Sequence, residues 1–312
     1  MWIGNSLYWR RTRSSNRDRK RITSIFRFDF IYAGACCVLR WRKIGENFIA
    51  INVGKEYNGK PYYWTTFYYY DGLIIDTGCP HTANEAAEFV DNMKLDVKAI
   101  LLTHYHEDHS GGAYLLKDRF NVEVFAPEES LEVLANPQEV PAYRKIVWGQ
   151  PKPVKALPLK KELKIDESII RVIDTPGHSF DHVSILIERN LFVGDLVTNV
   201  NPVIIMKEED SIDVINSLKK VLKLEFNKAY SGHGIWKKND VKNTLNNMLK
   251  LKEKVEALHR NGLSINQIVE KVFPNPPEKV LQMEEVSDGE WSRRNLIESL
   301  LGMRHKANKA FK

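Results

Sequence analysis

Three of the chain's nine histidines fall within the ten-residue run Thr103-His104-Tyr105-His106-Glu107-Asp108-His109-Ser110-Gly111-Gly112, and this run restricts both fold and chemistry. In extended backbone, residues i, i+2 and i+4 share a face, so His104, His106 and Asp108 are expected to point together while His109 turns the other way. One short loop can thereby feed two metal ions. Imidazole and carboxylate are ligands that a borderline divalent ion accepts, and Gly111-Gly112 lets the backbone turn directly into a following helix. The spacing argues against a chance cluster of solvated histidines.

Three further loops each follow an expected strand and each carry one ligand-type residue beside a glycine: Thr175-Pro176-Gly177-His178, Val193-Gly194-Asp195 and Ser231-Gly232-His233-Gly234. A lone histidine after a strand is usually structural, but three such loops together point to convergence on one site. Asp76, in Leu73-Ile74-Ile75-Asp76-Thr77-Gly78, reads as an acid that orients a ligand by hydrogen bonding rather than as a ligand. Cys79 reads as a small buried loop residue, His81 and His182 as structural or supporting groups, and His259 and His305 as surface residues of the tail. Arg293 and Arg294 are candidate anion contacts, although helix arginines more often simply face solvent.

Hydrophobic patterning supplies the scaffold for these loops. Strands are expected at Asn47–Val53, Tyr62–Tyr70, Leu73–Ile75, Val97–Thr103, Val122–Ala126, Ile169–Ile173, Val183–Ile187, Leu191–Val193 and Ala229–Ser231. Helical spacing marks Thr82–Lys94, Glu128–Ala135 and Asp213–Leu222. After Asp240 the pattern becomes helix-rich, with Leu245, Met248, Leu251, Val255 and Leu258 recurring every three or four residues. Ser264 is expected to cap a helix there, and Pro274–Pro277 to break one. The division that follows is a basic segment 1–43, a domain 44–236 that carries the candidate ligand loops and a helix-rich extension 237–312.

The net charge of +6 suggests nucleic acid only until it is located along the chain. Residues 1–43 carry eleven Lys or Arg against two acids, a net +9, whereas the remaining 269 residues carry a net −3. A mildly acidic body does not advertise a phosphate-binding face. The basic segment reads as a disordered arm or a misassigned start, with the first ordered strand from about Asn47. Three cysteines, two of them vicinal, do not make a disulfide framework, so a reducing cytoplasm is expected. No run approaches the roughly 18 apolar residues of a membrane-spanning helix.

The run His104-x-His106-x-Asp108-His109, followed by His178, Asp195 and His233 with Asp76-Thr77-Gly78 upstream, resembles the metallo-beta-lactamase superfamily over about residues 45–235. The resemblance implies an α+β fold: a four-layer αβ/βα sandwich, two sheets packed face to face between outer helices, with the metal site at one edge and here a C-terminal helical extension. Carried over by position, it implies that His104, His106 and His178 hold one metal ion, that Asp108, His109 and His233 hold a second, and that Asp195 bridges them. It further implies two divalent ions, zinc first and iron or manganese as substitutes. Two such ions about 3.5–4 Å apart can share a hydroxide, because the pKa of bound water falls from about 15.7 toward about 7. Asp108 would orient that nucleophile and pass its proton to the leaving group.

Departures from the pattern narrow the branch. His106 stands where the diiron flavoprotein branch has Glu, and Asp195 where the zinc β-lactamases generally carry Cys. Only 17 positions separate His178 from Asp195 and 38 separate Asp195 from His233, which leaves no room for the inserted cap domain of the processing nucleases. The expected activity is therefore hydrolysis of a thioester, ester or lactone, similar to glyoxalase II, on a small-molecule acyl substrate. Gly234-Ile235-Trp236 lacks the tyrosine that glyoxalase II places near this point, so a glutathione substrate is not implied. Two alternatives remain open. One is a single-strand RNA endonuclease using the basic arm with Trp2, Tyr8, Trp9 and Trp41; the other is a mononuclear iron persulfide dioxygenase.

Overall fold

The computed structural model describes residues 23–27, 35–57 and 60–303. An antiparallel meander comes first: β1 (Thr23–Arg27), β2 (Ala35–Gly45), β3 (Phe48–Tyr57), β4 (Lys60–Tyr70) and β5 (Leu73–Ile75). The chain then alternates through α1 (Ala83–Asn92), β6 (Ala99–Leu101), α2 (Glu107–Ser110), α3 (Ala113–Phe120), β7 (Glu123–Ala126), α4 (Leu131–Ala135), α5 (Ala142–Val147) and β8 (Leu157–Pro158). Strands β5 to β8 pair in parallel, which completes a first sheet with its strands in chain order.

The second half begins with β9 (Glu162–Ile165), β10 (Ser168–Asp174), β11 (Val183–Ile187) and β12 (Asn190–Gly194). It continues with β13 (Ile205–Met206), α6 (Ser211–Val221), β14 (Lys228–Ser231), β15 (Gly234–Lys237), α7 (Lys238–Arg260), α8 (Ile265–Val272), α9 (Glu278–Val286), β16 (Trp291–Ser292) and α10 (Arg293–Leu300). A second sheet has the order β15-β14-β12-β11-β10-β9, parallel only between β12 and β14, and β13 pairs with β16 as a small ribbon.

Period-two burial builds the layers. Phe48 and Ala50 of β3 face the second sheet, where they join Tyr68, Leu73, Ile75, Ile170, Ile185, Phe192 and Tyr230 in the inter-sheet core. The alternate residues Ile49, Ile51 and Val53 face outward onto Ala86, Ala87 and Val90 of α1 and Leu116 of α3. On the second sheet Leu186, Leu191 and Val193 face α6 and the tail helices through Val214, Leu218, Val241, Met248, Leu296 and Leu300. The order is thus helix, sheet, sheet, helix, the expected four-layer αβ/βα sandwich. Each fully buried Ile, Leu or Phe contributes about 1.5–3 kcal/mol relative to exposure.

The helix ends follow from their capping residues. Asp210 caps α6 by accepting from the backbone N–H groups of Ile212 at 2.8 Å and Asp213 at 3.1 Å. Ser264 and Gln267 form the reciprocal box that starts α8, and α9 begins directly after Pro277.

The structure corrects three expectations. Order does not begin at Asn47: β2 runs from Ala35 and pairs with β3, with the consecutive residues Val38 and Leu39 buried on opposite faces of the first sheet. Arg40, counted in the basic arm, hydrogen-bonds buried Glu56 at 2.9 Å and lies 4.5 Å over the Trp64 ring, so it stabilises the sheet. The remainder of the arm, residues 1–22 and 28–34, lies outside the described residues, as does His305. Helix α5 and strands β9 and β15 arise in segments where no element was expected. Arg293 is paired with Glu284 at 2.8 Å, and Arg294 with Glu298 at 2.6 Å and Asn266 at 3.0 Å, so both guanidinium groups have partners on their own extension.

Candidate metal centre

The carboxyl ends of β5, β6, β10, β12 and β14 open onto the same edge of the sandwich, and each is followed by one of the loops singled out above. Backbone conformation decides where the side chains go. Strand β6 ends at Leu101, the chain bends at Thr103 and Tyr105, and Glu107–Ser110 is already a helical turn. Asp108 therefore does not share a face with His104 and His106 as the alternation implied; the turn carries it to a neighbouring cluster. Gly112 allows this turn to lie against the Asp76 loop, because a Cβ there would stand 2.5 Å from the Thr77 carbonyl oxygen.

The first cluster is His104, His106 and His178. His106 Nδ1 lies 3.1 Å from His104 Nε2 and 2.9 Å from His178 Nε2, so three imidazole nitrogens meet at one point. Thr103 Oγ1 donates to Asp76 Oδ2 at 3.0 Å and lies 3.0 Å from His104 Nδ1. Since the threonine proton is engaged by the carboxylate, His104 donates from Nδ1 and presents a lone pair at Nε2. Burial, then the neighbouring imidazoles, push His104 well below the ordinary histidine range, so it stays neutral.

The second cluster is Asp108, Asp195 and His233, and His109 groups with His104 and Asp195 between the two. Asp195 spans the two clusters. Its Oδ2 lies 3.1 Å from His233 Nε2 and 3.7 Å from His178 Nε2, and its Oδ1 lies 3.2 Å from His109 Nε2. Burial alone would raise the Asp195 pKa, but His233 and His109 hold it well below the usual carboxylate range. Asp76 Oδ2 accepts from His109 Nδ1 at 2.8 Å, a contact of the kind by which a neighbouring acid orients a ligating ring. His182 accepts from the Asp195 backbone N–H at 3.1 Å, and burial followed by the charge of His178 lowers its pKa to about 3.

The donor set fits a pair of divalent cations. Seven histidine and carboxylate side chains converge, a chemistry suited to zinc, iron or manganese. His109 Nε2 and Asp195 Oδ1 are buried without a hydrogen-bond partner, although polar atoms in such places are normally satisfied. Burial lowers the His109 pKa, yet the carboxylates of Asp195, Asp108 and Asp76 raise it well above the ordinary value, so the pocket calls for positive charge.

Comparison with known proteins agrees with this geometry. The family model of the metallo-beta-lactamase superfamily matches residues 71–233, just over half of the chain. The chain belongs to the metallo-beta-lactamase superfamily. Among similar proteins is a hydroxyacylglutathione hydrolase of Thiobacillus denitrificans, 34% identical over 123 residues, which cover 39% of this chain and 41% of that one. Another is a thioesterase of Emericella nidulans, 28% identical over 169 residues, covering 52% and 42% of the two chains. The chain spans 41%, 54% and 66% of the length of the first three curated relatives it matches. A crystal structure of a metallo-beta-lactamase family protein from Thermus thermophilus superposes with a TM-score of 0.55 at 20% identity, covering 79% of this chain and 89% of that one, which shows the fold.

This superfamily member surrounds its clusters with further residues, of which Tyr63 alone falls in a segment marked in the sequence, the aromatic run Tyr62–Tyr70. Tyr63, in the aromatic strand β4, donates its hydroxyl to Asp108 Oδ2 and packs edge-on against Trp148 at 5.5 Å. Glu208 and Glu209 contact His106 and His178, at 2.9 Å and 3.4 Å. Arg144 of α5 pairs with Glu107 beneath the histidine turn. The run Glu208-Glu209-Asp210 was the only sequence signal for the two glutamates, and it reads equally well as a helix start. Cys79 is buried with Val147 and Trp148, as expected, and His81 Nε2 lies 2.7 Å from the Lys145 carbonyl oxygen, a structural bond. His259 is exposed on α7. Among the described residues, no helix is long and apolar enough to cross a membrane.

Proposed function

We propose that this superfamily hydrolase cleaves a thioester, ester or lactone of a small acyl substrate. His104, His106 and His178 would hold one divalent ion, Asp108, His109 and His233 would hold a second, and Asp195 would serve both. The observation that carries the reading is the position of Asp195, one carboxylate within 3.1–3.7 Å of histidines from both clusters. When bound, the ions supply Lewis acidity toward the carbonyl and a water acidic enough to ionise near neutral pH.

The chain's own residues supply orientation and proton movement. Asp76 and Thr103 fix the rings of His109 and His104. Asp108, buried and held by the Tyr63 hydroxyl, takes the proton of the attacking water and delivers it to the leaving thiolate or alkoxide. Asp108 stays ionised, because His109 and His233 outweigh its burial and bring its pKa below the usual value. Support for the acyl substrate comes from the acidic body of the chain and from the names of similar proteins, a hydroxyacylglutathione hydrolase and a thioesterase. Gly234-Ile235-Trp236 gives no tyrosine after His233, and Trp236 donates to Ser231 Oγ at 3.0 Å, so the leaving group is not assigned to glutathione.

The test is a turnover panel on metal-reconstituted protein: S-lactoylglutathione, an acyl-CoA, a homoserine lactone, single-stranded RNA and a persulfide with oxygen uptake. Turnover of a thioester or the lactone is expected. RNA cleavage or oxygen uptake without ester turnover would keep the fold and replace the function.

A further inference from the structure

Each imidazole of the first cluster turns one ring nitrogen inward and the other outward, and the outward nitrogens meet different partners. His104 Nδ1 meets Thr103 Oγ1 at 3.0 Å. His106 Nε2 meets Glu208 Oε1 at 2.9 Å, and His178 Nδ1 meets Glu209 Oε2 at 3.4 Å. Two consecutive carboxylates thus serve two histidines that are 72 positions apart in sequence.

We infer that Glu208 and Glu209 are positioning residues of the first metal site, fixing the tautomers of His106 and His178 so that Nδ1 of one and Nε2 of the other face the same point. A carboxylate can only accept, so the outward nitrogen that faces it carries the proton and the inward nitrogen keeps its lone pair. Neither histidine makes this choice intrinsically, since a neutral imidazole carries its single proton on either nitrogen.

The carboxylates are themselves anchored. Glu208 Oε2 accepts from the Tyr105 hydroxyl at 2.8 Å, and Glu209 Oε1 accepts from the Met206 backbone N–H at 2.8 Å. Their backbone is tied to the His178 loop, because the Asp210 N–H donates to the Gly177 carbonyl at 2.7 Å. From the other side the C-terminal extension holds the same segment. Strand β16 pairs with β13, and Asn295 Nδ2 donates to the Ile205 carbonyl at 3.3 Å. Ser299 Oγ donates to the Glu209 carbonyl at 3.4 Å. The extension therefore buttresses the metal site through two glutamates.

The experiment is zinc titration of the full chain against a chromophoric chelator, with the parent, Glu208→Gln, Glu209→Gln and the double variant. Thermal unfolding of the metal-free proteins and cobalt(II) absorption of the loaded ones accompany it. Glutamine keeps the size but loses the charge. Each single variant is expected to weaken the first zinc equivalent about tenfold and the double about a hundredfold, the scale on which ligand-orienting groups act. The cobalt ligand-field bands should shift while the metal-free unfolding temperature stays near the parent's. Unchanged zinc affinity in the double variant, or a loss that only follows a loss of metal-free stability, overturns the inference. It rests on the metal-site reading, and the two fail separately: a parent that binds no zinc refutes the site itself, whereas a zinc-binding parent with unaltered variants refutes only the role of the glutamates.

Discussion

Arg144 reaches from α5 to place Nη2 2.6 Å from Glu107 Oε2, and both side chains are buried beneath the turn that carries Asp108 and His109. Its Nη1 extends to Glu290 of the C-terminal extension at 2.9 Å. Removing one partner of a buried pair strands the other charge, at about 3–5 kcal/mol. Arg144→Ala should therefore lose about that much stability in urea unfolding. Glu290→Ala should lose about 1 kcal/mol or less, because its side chain is partly solvated. Equal losses would contradict the assignment of Glu107 as the buried partner.

Gly232 lies against both clusters. A Cβ on it would stand 2.7 Å from His109 Cε1 and 2.8 Å from Asp195 Oδ1, distances that real contacts do not tolerate. Gly232→Ala is expected to displace one or both ligands and lower bound metal, although the change adds only a methyl group. Metal analysis after dialysis checks this, and a fully loaded variant would show that His109 or Asp195 is not a ligand.

Asp76 accepts from the Thr103 backbone N–H at 2.8 Å as well as from His109. Asp76→Ala leaves that buried donor unsatisfied, which costs about 1–3 kcal/mol. It also frees the His109 ring, so a loss of the more weakly held metal equivalent should accompany the stability loss. A stability loss with both equivalents retained would make Asp76 a purely structural residue.

Burial raises the Glu284 pKa, but its bonds to Arg293 outweigh this and leave it below the ordinary glutamate value. A carboxylate with a depressed folded-state pKa contributes stability that is present above its unfolded value of about 4.3 and is lost as pH falls through the folded one. Glu284→Gln should thus be less stable than the parent at pH 7, with the gap closing in acid. Thermal unfolding followed from pH 7 to pH 3 reads this directly, and a gap that widens in acid would reverse the sign.

Much of the site was legible because its residues sit in short loops directly after strands, where sequence order and spatial order coincide. His104, His106, His178 and Asp195 needed only the strand ends to be located. The pattern was misleading at Asp108, because alternation along a strand does not reveal that a helix starts at Glu107. Glu208, Glu209 and Arg144 were not legible for another reason. Their contacts join segments far apart in the chain, and a surface glutamate and a buried one look alike in sequence. Strand β2 was hidden by its own charges: Arg40 and Arg42 read as a basic arm, whereas in the sheet Arg40 is neutralised by Glu56.

The most direct measurement is the number of divalent ions per chain in the purified protein, set beside Asp195→Ala and accompanied by thioester turnover of both. Two ions with turnover in the parent, and fewer ions without turnover in the variant, are expected. A parent without bound metal, or a variant that keeps two ions and full activity, would contradict the assignment of the seven converging residues as the catalytic metal centre.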